Sequence, residues 1–288
     1  MLRDNLEDAF IGIWGLGLMG GSLAMALKPH CKNIVGIDCQ PEVVERALAG
    51  GVVTQASSRP EDIISDVDGV ILAVPVGAIL EIIQQLPALC ASQLVVLDLG
   101  STKAEVVAAY RTLPEHIYPV AGHPMCGKSV LGLENADPLI FQDAPFMLYP
   151  LARSEGQAFN LAWQIVKAVG AVPLRVDPEV HDRWVAASSH LPYLAASALA
   201  LSVPDEAAPL VGSGFASTSR LAETPTSMML DVIKTNQINI LEVLRGFQAQ
   251  IAGIADVLES GEMGNLEDLL DMAAEKRGAL MAAGDSAK

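Results

Sequence analysis

The chain has 288 residues, 51% of them hydrophobic and 18% charged, which is enough apolar material for a sizeable core and is not typical of a disordered protein. Its formal net charge of −16 disfavours partners that carry dense negative charge, so we expect no nucleic-acid binding and no membrane attachment. Its four cysteines form no CxxC pair, which favours a reducing cytoplasm over a disulfide framework or a metal site.

The first part of the chain alternates short apolar strands with helical segments. The pattern predicts strands at residues 10–14, 33–38, 69–74, 94–98, 117–120 and 146–149. It predicts helices at residues 22–27, 41–48, 78–86 and 103–110. Strands that alternate with helices are typical of parallel βαβ units, so we expect an α/β fold with a doubly wound, mostly parallel sheet.

The pattern changes near residue 177. From His181 to Leu280, apolar residues recur at helical spacing and no strand is indicated. One apolar stripe consists of Ile238, Leu241, Leu244, Phe247, Ile251 and Ile254. We therefore predict a first domain at residues 1–176 and an all-helical domain at residues 177–288 with a frayed tail from Ala282. The helical domain has more apolar residues than its own core needs, so we expect it to form a homodimer.

A glycine-rich turn follows the first predicted strand directly and leads into a helix. It has the GxGxxG pattern, and its residues are Gly15, Leu16, Gly17, Leu18, Met19 and Gly20. The first glycine permits the tight turn, the second lets the backbone approach a pyrophosphate, and the third lets the helix pack closely on the strand. In this context the motif indicates a Rossmann-type dinucleotide-binding domain.

Asp38 ends the second predicted strand, at the distance from the glycines where a ribose-binding acid is expected. Its carboxylate would accept hydrogen bonds from the ribose of NAD and repel a 2′-phosphate, and residues 39–43 contain no arginine. We therefore predict NAD, with NADP as the alternative cofactor. We also expect Val74 and Pro75, at the next strand end, to contact the cofactor. The alternative is a structural glycine turn in which Asp38 caps the following helix.

Two polar residues lie near the ends of later strands, where ligands of open α/β sheets bind. Ser101 follows strand 94–98, and it would either face the cofactor or cap the helix that begins near Lys103. His123 follows strand 117–120 and is suited to exchange a proton with a substrate hydroxyl, although an isolated histidine is often structural. We interpret Cys126 as a small packing residue.

The helical domain carries further polar candidates for binding a substrate. Arg220 follows the segment that starts at Gly214, and it would clamp a carboxylate unless it is only a surface residue. His181 with Asp182, and His190 in a Ser-His-Leu-Pro segment, are other polar residues of this kind.

Together these segments resemble the prephenate/arogenate dehydrogenase family of tyrosine biosynthesis. The matching pieces are GLGLMGGS (15–22), DLGSTK (98–103), GHPMCG (122–127), HDRWVAASSHLP (181–192) and GFASTSRLAETPTSMMLDV (214–232). The resemblance implies a Rossmann domain followed by a helical dimerisation domain, and oxidative decarboxylation of a cyclohexadienol with NAD or NADP. It carries the catalytic histidine onto His123 and its serine helper onto Ser101. It carries the substrate-carboxylate arginine onto Arg220 and places His190 near the active site, with Gly214 at the start of the substrate-binding segment.

The chain departs from the family at two places. Many members that use prephenate have a second histidine three residues after the first, where this chain has Tyr193. The segment after Phe215 also lacks the acidic residue common in relatives. The missing histidine weakens the case for strict prephenate use, so both substrates stay open, with a lean towards arogenate.

Two other functions remain as alternatives. A β-hydroxyacid dehydrogenase would use a catalytic lysine in the helical domain, where Lys234 is the one lysine between His181 and Ser260. A non-catalytic NAD-binding regulator would need the glycine turn and Asp38, but not His123, Ser101 and Arg220 together.

Overall fold

A computed structural model describes residue 3, residues 5–128 and residues 130–286 of the protein. The described strands are β1 (Phe10–Trp14), β2 (Asn33–Ile37), β3 (Gln55–Ser57), β4 (Gly69–Leu72), β5 (Leu94–Asp98), β6 (Ile117–Pro124), β7 (Pro145–Pro150) and β8 (Val172–Arg175). The described helices are α1 (Leu18–Leu27), α2 (Pro41–Ala49), α3 (Val76–Leu89), α4 (Ala104–Tyr110), α5 (Gln157–Ala168), α6 (Pro178–Val185), α7 (Leu191–Ser202), α8 (Ser213–Ser219), α9 (Thr226–Thr235), α10 (Gln237–Ser260) and α11 (Met263–Ser286).

All eight strands form one sheet in the order β3-β2-β1-β4-β5-β6-β7-β8. The pairs are parallel except for β6 with β7, which is antiparallel. The first six strands in this order are those of a doubly wound dinucleotide-binding sheet, whose direction of winding changes between β1 and β4. The predicted Rossmann-type α/β fold followed by helices is therefore confirmed, and the carboxyl ends of β1 and β4 mark the crevice for a ligand.

Helices cover both faces of the sheet, which explains why its central strands are almost continuously apolar. One buried cluster lies on the face that includes Ile13 and Phe146, together with Leu161 of α5. The other lies on the face that includes Val96, together with Ile83 of α3 and Tyr110 of α4. Because both faces of the sheet are packed against helices, polar functional groups reach a ligand only at the ends of the strands.

Two strands were not expected from the sequence, and one is longer than expected. β3 has three residues and β8 has four including Pro173, so neither shows the long apolar run that predicts a buried strand. β6 continues to Pro124 because β7 pairs with it from Phe146 to Pro150. His123 therefore lies inside a strand rather than just after one, which fixes its backbone in a hydrogen-bonded ladder.

The chain after residue 177 is helical throughout its described residues, as predicted. α6 and α7 join through one π turn (Ala186–His190), a local widening of the helix that is frequent at functional sites. The expected frayed tail is wrong up to residue 286, because α11 continues to Ser286, while residues 287 and 288 lie outside the described ranges. Among the described helices, none is both long and apolar enough to cross a membrane.

The helical part is held against the carboxyl edge of the sheet by side chains that cap helices of the first part. The Asp182 carboxylate on α6 accepts hydrogen bonds from the backbone N–H groups of Lys103 and Ala104, each at 2.8 Å, at the start of α4. Asp231 on α9 accepts one from Gly77 N–H at 3.4 Å at the start of α3. These contacts bring the two parts of the chain together around one crevice.

Candidate active site

The glycine turn between β1 and α1 has the geometry that a bound dinucleotide requires. Gly15 has φ +98°, and a Cβ there or at Gly20 would overlap backbone atoms, so both positions need glycine. A Cβ on Gly17 would meet nothing within 4 Å, so its backbone borders open space. No side chain caps the N-terminus of α1 and its first turn has no acidic residue. Its free N–H groups therefore fit a pyrophosphate.

The side chains of the turn serve the core, whereas its backbone faces the crevice. Leu16 and Leu18 are buried, and the Leu16 side chain lies against Gly36 of β2. Met19 is half-buried and packs at the edge of the same core. Leu18 and Met19 therefore contribute to a bound cofactor through their backbone N–H groups, whereas the Leu16 N–H is bonded to Asp38.

Asp38 braces the glycine turn at the end of β2. Its Oδ2 accepts a hydrogen bond from Leu16 N–H at 2.8 Å, and its Oδ1 accepts one from Gln40 N–H at 3.0 Å. The first residue before α2 is Gln40, and no side chain caps that helix. The alternative in which Asp38 caps the helix is therefore wrong. Each carboxylate oxygen keeps a second lone pair that a ribose hydroxyl can use.

Val74 lies beside this turn, and Pro75 follows Val74 in the chain. The Val74 side chain is half-buried next to Gly15, and Pro75 is the exposed residue from which α3 begins. Contact of either residue with the cofactor stays a prediction.

His123 lies at the centre of a chain of polar contacts that joins the two parts of the protein. Its Nδ1 is 2.9 Å from Nε2 of His181, and Nδ1 of His181 is 2.8 Å from Oδ1 of Asp182. His181 and Asp182 are buried, whereas His123 is partly exposed. The pKa of His123 is well below its usual 6.5, first because of burial and then because a positive charge on His181, Lys103 or His190 would repel a charge on the His123 ring. The ring is therefore neutral and able to accept a proton.

A buried ion pair supports the segment that carries His123. Lys103 Nζ bonds to the Asp98 carboxylate and donates to the carbonyl of Gly122 at 2.7 Å. Asp98 also accepts bonds from Tyr110 Oη–H at 3.1 Å and from Gly100 N–H at 2.9 Å. Burial and the Asp98 charge raise the pKa of Tyr110, which stays a hydrogen-bond donor. This cluster ties β5, β6 and α4 together directly behind the His123 backbone.

Ser101 lies in the bend between β5 and α4, on the same edge of the sheet as His123. The expectation that it caps α4 is wrong, because Asp182 supplies that cap from α6. The Ser101 side chain is partly exposed, and its hydroxyl has no partner among the residues that the structure describes. It is therefore free to bond to a ligand in the crevice.

His190 is buried in the π turn and joins the same polar network. Asn236 Nδ2 donates to the Asp182 carbonyl at 2.8 Å and lies 3.2 Å from Nδ1 of His190. Because an amide nitrogen can only donate, Nδ1 of His190 accepts and its Nε2 carries the proton. Burial lowers the pKa of His190 to about 4. Its ring is therefore a neutral donor at physiological pH.

The other predicted substrate-binding residues have no described side-chain contact with the network around His123. Tyr193 is half-buried on α7, one turn after His190. Arg220 is exposed and begins a 3-10 turn that packs against α7, while Gly214 is exposed on α8. Among the described contacts, none joins Arg220 or Gly214 to His123 or Ser101.

Cys126 and Lys234 were the other residues that the sequence singled out. Burial raises the pKa of the Cys126 thiol to about 11, which keeps it protonated and suits a packing residue rather than a nucleophile. Lys234 is exposed on α9, unlike a lysine that serves as a catalytic group in a closed site.

Family models match most of the chain. The model of the prephenate dehydrogenase nucleotide-binding domain matches residues 23–174, and the model of the prephenate dehydrogenase dimerization domain matches residues 177–272.

Individual relatives agree with these matches. The chain is 30% identical to the prephenate dehydrogenase of Bacillus subtilis (strain 168), over 91% of this chain and 73% of that protein. It is 28% identical to the cyclohexadienyl dehydrogenase of Zymomonas mobilis, over 87% of this chain and 88% of that protein. A solved structure, prephenate dehydrogenase from A. aeolicus in complex with hydroxyphenyl propionate and NAD+, matches with TM-score 0.87 and 26% identity. That match covers 94% of this chain and 98% of the other.

Proposed function

The chain belongs to the prephenate dehydrogenase family, and from this premise we propose how its own residues carry out the reaction. It is an NAD-dependent dehydrogenase of tyrosine biosynthesis. Its substrate is a cyclohexadienol, prephenate or arogenate, whose oxidation and loss of carbon dioxide leave an aromatic ring. The observation that carries the proposal is the contact of His123, at the carboxyl end of β6, with the buried His181 of the helical part, which in turn contacts the buried Asp182.

His123 is the general base in this proposal. It accepts the proton of the substrate's ring hydroxyl, and Ser101 orients that hydroxyl from the neighbouring strand end. When bound, NAD supplies the acceptor for the hydride that leaves the same carbon. Because aromatisation drives the loss of carbon dioxide, the protein mainly positions and polarises the substrate.

The substrate's carboxylates are held by the helical part. The neutral His190 offers its Nε2–H as a donor, and Arg220 supplies a charged clamp at the outer side of α7. Tyr193 offers a hydroxyl where a further cation would favour the keto acid side chain of prephenate. We therefore propose that arogenate is accepted at least as well as prephenate. Gly214 lets the segment before Arg220 approach the substrate.

The cofactor site favours NAD over NADP in this proposal. Asp38 places a carboxylate at the end of β2, which accepts bonds from ribose hydroxyls and repels a 2′-phosphate. The backbone of residues 15–20 holds the pyrophosphate.

The dinucleotide-binding domain spans residues 1–176 and the helical domain residues 177–288 in this proposal, and two copies associate through the helical domain. The basis is the unpaired apolar surface of α10 and α11. None of residues 241–284 is buried, although Phe247, Ile251 and Leu270 are among them. A long helical pair with so much exposed apolar surface is stable only when a second surface covers it.

The test is an assay of cofactor reduction with prephenate and arogenate, each with NAD and with NADP. We expect turnover of both substrates, and values of kcat/KM that are higher for arogenate and for NAD. H123N should lower kcat by about 10²- to 10⁴-fold, the range that general-base catalysis supplies, without loss of NAD binding. Binding of NAD without turnover of either substrate would instead indicate a regulator, and unchanged turnover by H123N would rule out His123 as the base.

A further inference from the structure

The buried pair of His181 and Asp182 continues the contacts of His123 into the helical part. The Asp182 carboxylate receives two backbone N–H groups from the start of α4, and a carboxylate can only accept hydrogen bonds. The contact between its Oδ1 and Nδ1 of His181 at 2.8 Å therefore requires a proton on that nitrogen.

The same reasoning applies to the contact between His181 and the ring of His123. In its neutral form, His181 has one protonated nitrogen, and with that proton on Nδ1 its Nε2 carries a lone pair. His123 Nδ1 lies 2.9 Å from that lone pair, so it must be the donor. The proton of neutral His123 is then on Nδ1, and its Nε2 is the free lone pair.

We propose that His181 and Asp182 are a positioning pair that fixes the tautomer of His123, so that Nε2 is always the nitrogen offered to the substrate hydroxyl. The proposal rests on the base role of His123 given above. Without an acceptor at Nδ1, the ring would sample the other tautomer, in which Nε2 carries a proton and cannot accept one. A base in the wrong tautomer is inactive even when its ring is in place.

The groups around the two rings keep the pair at a fixed place. The groups that face the two rings are Asp182, the Lys103 ammonium behind β6, and His190 in the π turn. Lys103 is already paired with Asp98, and His190 is a neutral donor that bonds through Asn236. Asp182 is thus the one negative group in this set that contacts His181, and its bonds to α4 hold it at a fixed place. The positioning pair therefore cannot turn without uncapping α4.

The direct test is the imidazole ¹⁵N spectrum of the whole enzyme with labelled histidines. The chain has five histidines, so assignment needs few variants, with H123N and H181F removing one ring each. We expect a protonated Nδ1 and an unprotonated Nε2 for His123 and the same tautomer for His181. A protonated Nε2 on His123, or rapid exchange between tautomers, overturns the proposal.

The kinetic test compares two substitutions of His181. H181Q places an amide oxygen where Nε2 lies and keeps an acceptor for His123, whereas H181F removes it. We expect H181F to lower kcat by about 10²- to 10⁴-fold, as loss of a general base does, with KM and the Kd for NAD within about twofold of the parent. H181Q should regain most of that kcat. If both variants keep full kcat, or both lose it equally, the positioning role is wrong.

H123N separates this proposal from the one on which it rests. If H123N is inactive while H181F and H181Q both keep the parent kcat, the base role of His123 is supported and the positioning role of His181 and Asp182 is wrong. If H123N itself keeps its activity, the base role fails first. The spectrum of the resting enzyme remains decisive should H181F fold poorly, because H123N alone assigns the His123 signals on which the proposal depends.

Discussion

Lys103 connects the stability of the fold to the site, because it is a fully buried cation whose partners come from two strands. It pairs with Asp98 of β5 and holds the carbonyl of Gly122 next to His123. Burial lowers the pKa of Lys103, and the charge of Asp98 opposes that change. Removing one member of such a pair leaves the other charge buried without compensation.

We therefore expect K103M to lower the free energy of unfolding by about 3–5 kcal/mol, the usual result of breaking a buried ion pair. Urea denaturation measures the change. The matched control is K167M on α5, where the lysine is exposed and the expected change is within about 0.5 kcal/mol. The double variant D98N/K103M should regain part of the loss. Equal stabilities of K103M and K167M would contradict the expectation.

The lowered pKa of His123 predicts the pH dependence of the reaction. Since burial and neighbouring cations hold its pKa well below 6.5, the base stays neutral when the solution is mildly acidic. We expect kcat/KM to remain flat as pH falls through 6.5 and to decline only at more acidic pH. A profile of kcat/KM for both substrates checks this. A decline centred at the usual value of 6.5 would show that the free enzyme's base is an unperturbed histidine.

The sequence predicted the residues that stand at strand ends, but not their partners. Asp38, Ser101 and His123 were found because ligands bind beyond the carboxyl ends of parallel strands. The contact of His123 with His181 spans 58 positions, and no local pattern encodes it. The sequence did contain a His-Asp pair, at positions 181 and 182, but its contact with His123 forms only when α6 packs against α4.

In the turn before α1, different glycines serve the packing of the backbone and the binding of the cofactor. The two outer glycines are required by close backbone packing, whereas Gly17 borders open space in the crevice. Folding and cofactor binding therefore depend on different glycines of one motif.

We expect G17A to fold like the parent and to bind NAD much more weakly, because its methyl group occupies the path of the pyrophosphate. G20A should instead lower the Tm, because its Cβ would overlap the carbonyl oxygen of Gly15. Thermal unfolding and a titration with NAD, made on both variants, separate the two effects. Unchanged NAD affinity in G17A would mean that the phosphates lie elsewhere.

At the level of elements, the sequence predicted the long apolar strands and missed those defined by their neighbours. β3 exists because Gln55 to Ser57 pair with β2 at the edge of the sheet, and its residues are too few and too polar to predict a strand. β8 is added beside β7 in the same way. The extension of β6 to Pro124 also depends on β7. Pairing between distant segments decides these elements, and the local pattern does not contain it.

At the scale of the whole molecule, the crevice is completed by both parts of the chain. The glycine turn and His123 belong to the sheet, whereas His181, His190 and the caps from Asp182 and Asp231 come from the helices. Neither part alone holds His123 in its network, so the arrangement of the two parts is itself a condition for activity. An interaction that stabilises the helical part should therefore also stabilise the site around His123.

We propose that association with a second copy stabilises the helical part of the chain. Substitutions on one face of α10 test this proposal. Ile251 is 51% exposed on the apolar stripe, so I251E would place a charge in the proposed interface, where its desolvation opposes association. We expect I251E to sediment as a monomer or a weakened dimer and the parent as a dimer. The control A249E adds the same charge to an exposed residue on the opposite side of the helix and should leave the dimer intact. If I251E and A249E sediment alike, this stripe is not the interface. If I251E is monomeric with an unchanged kcat, the second copy does not steady the site.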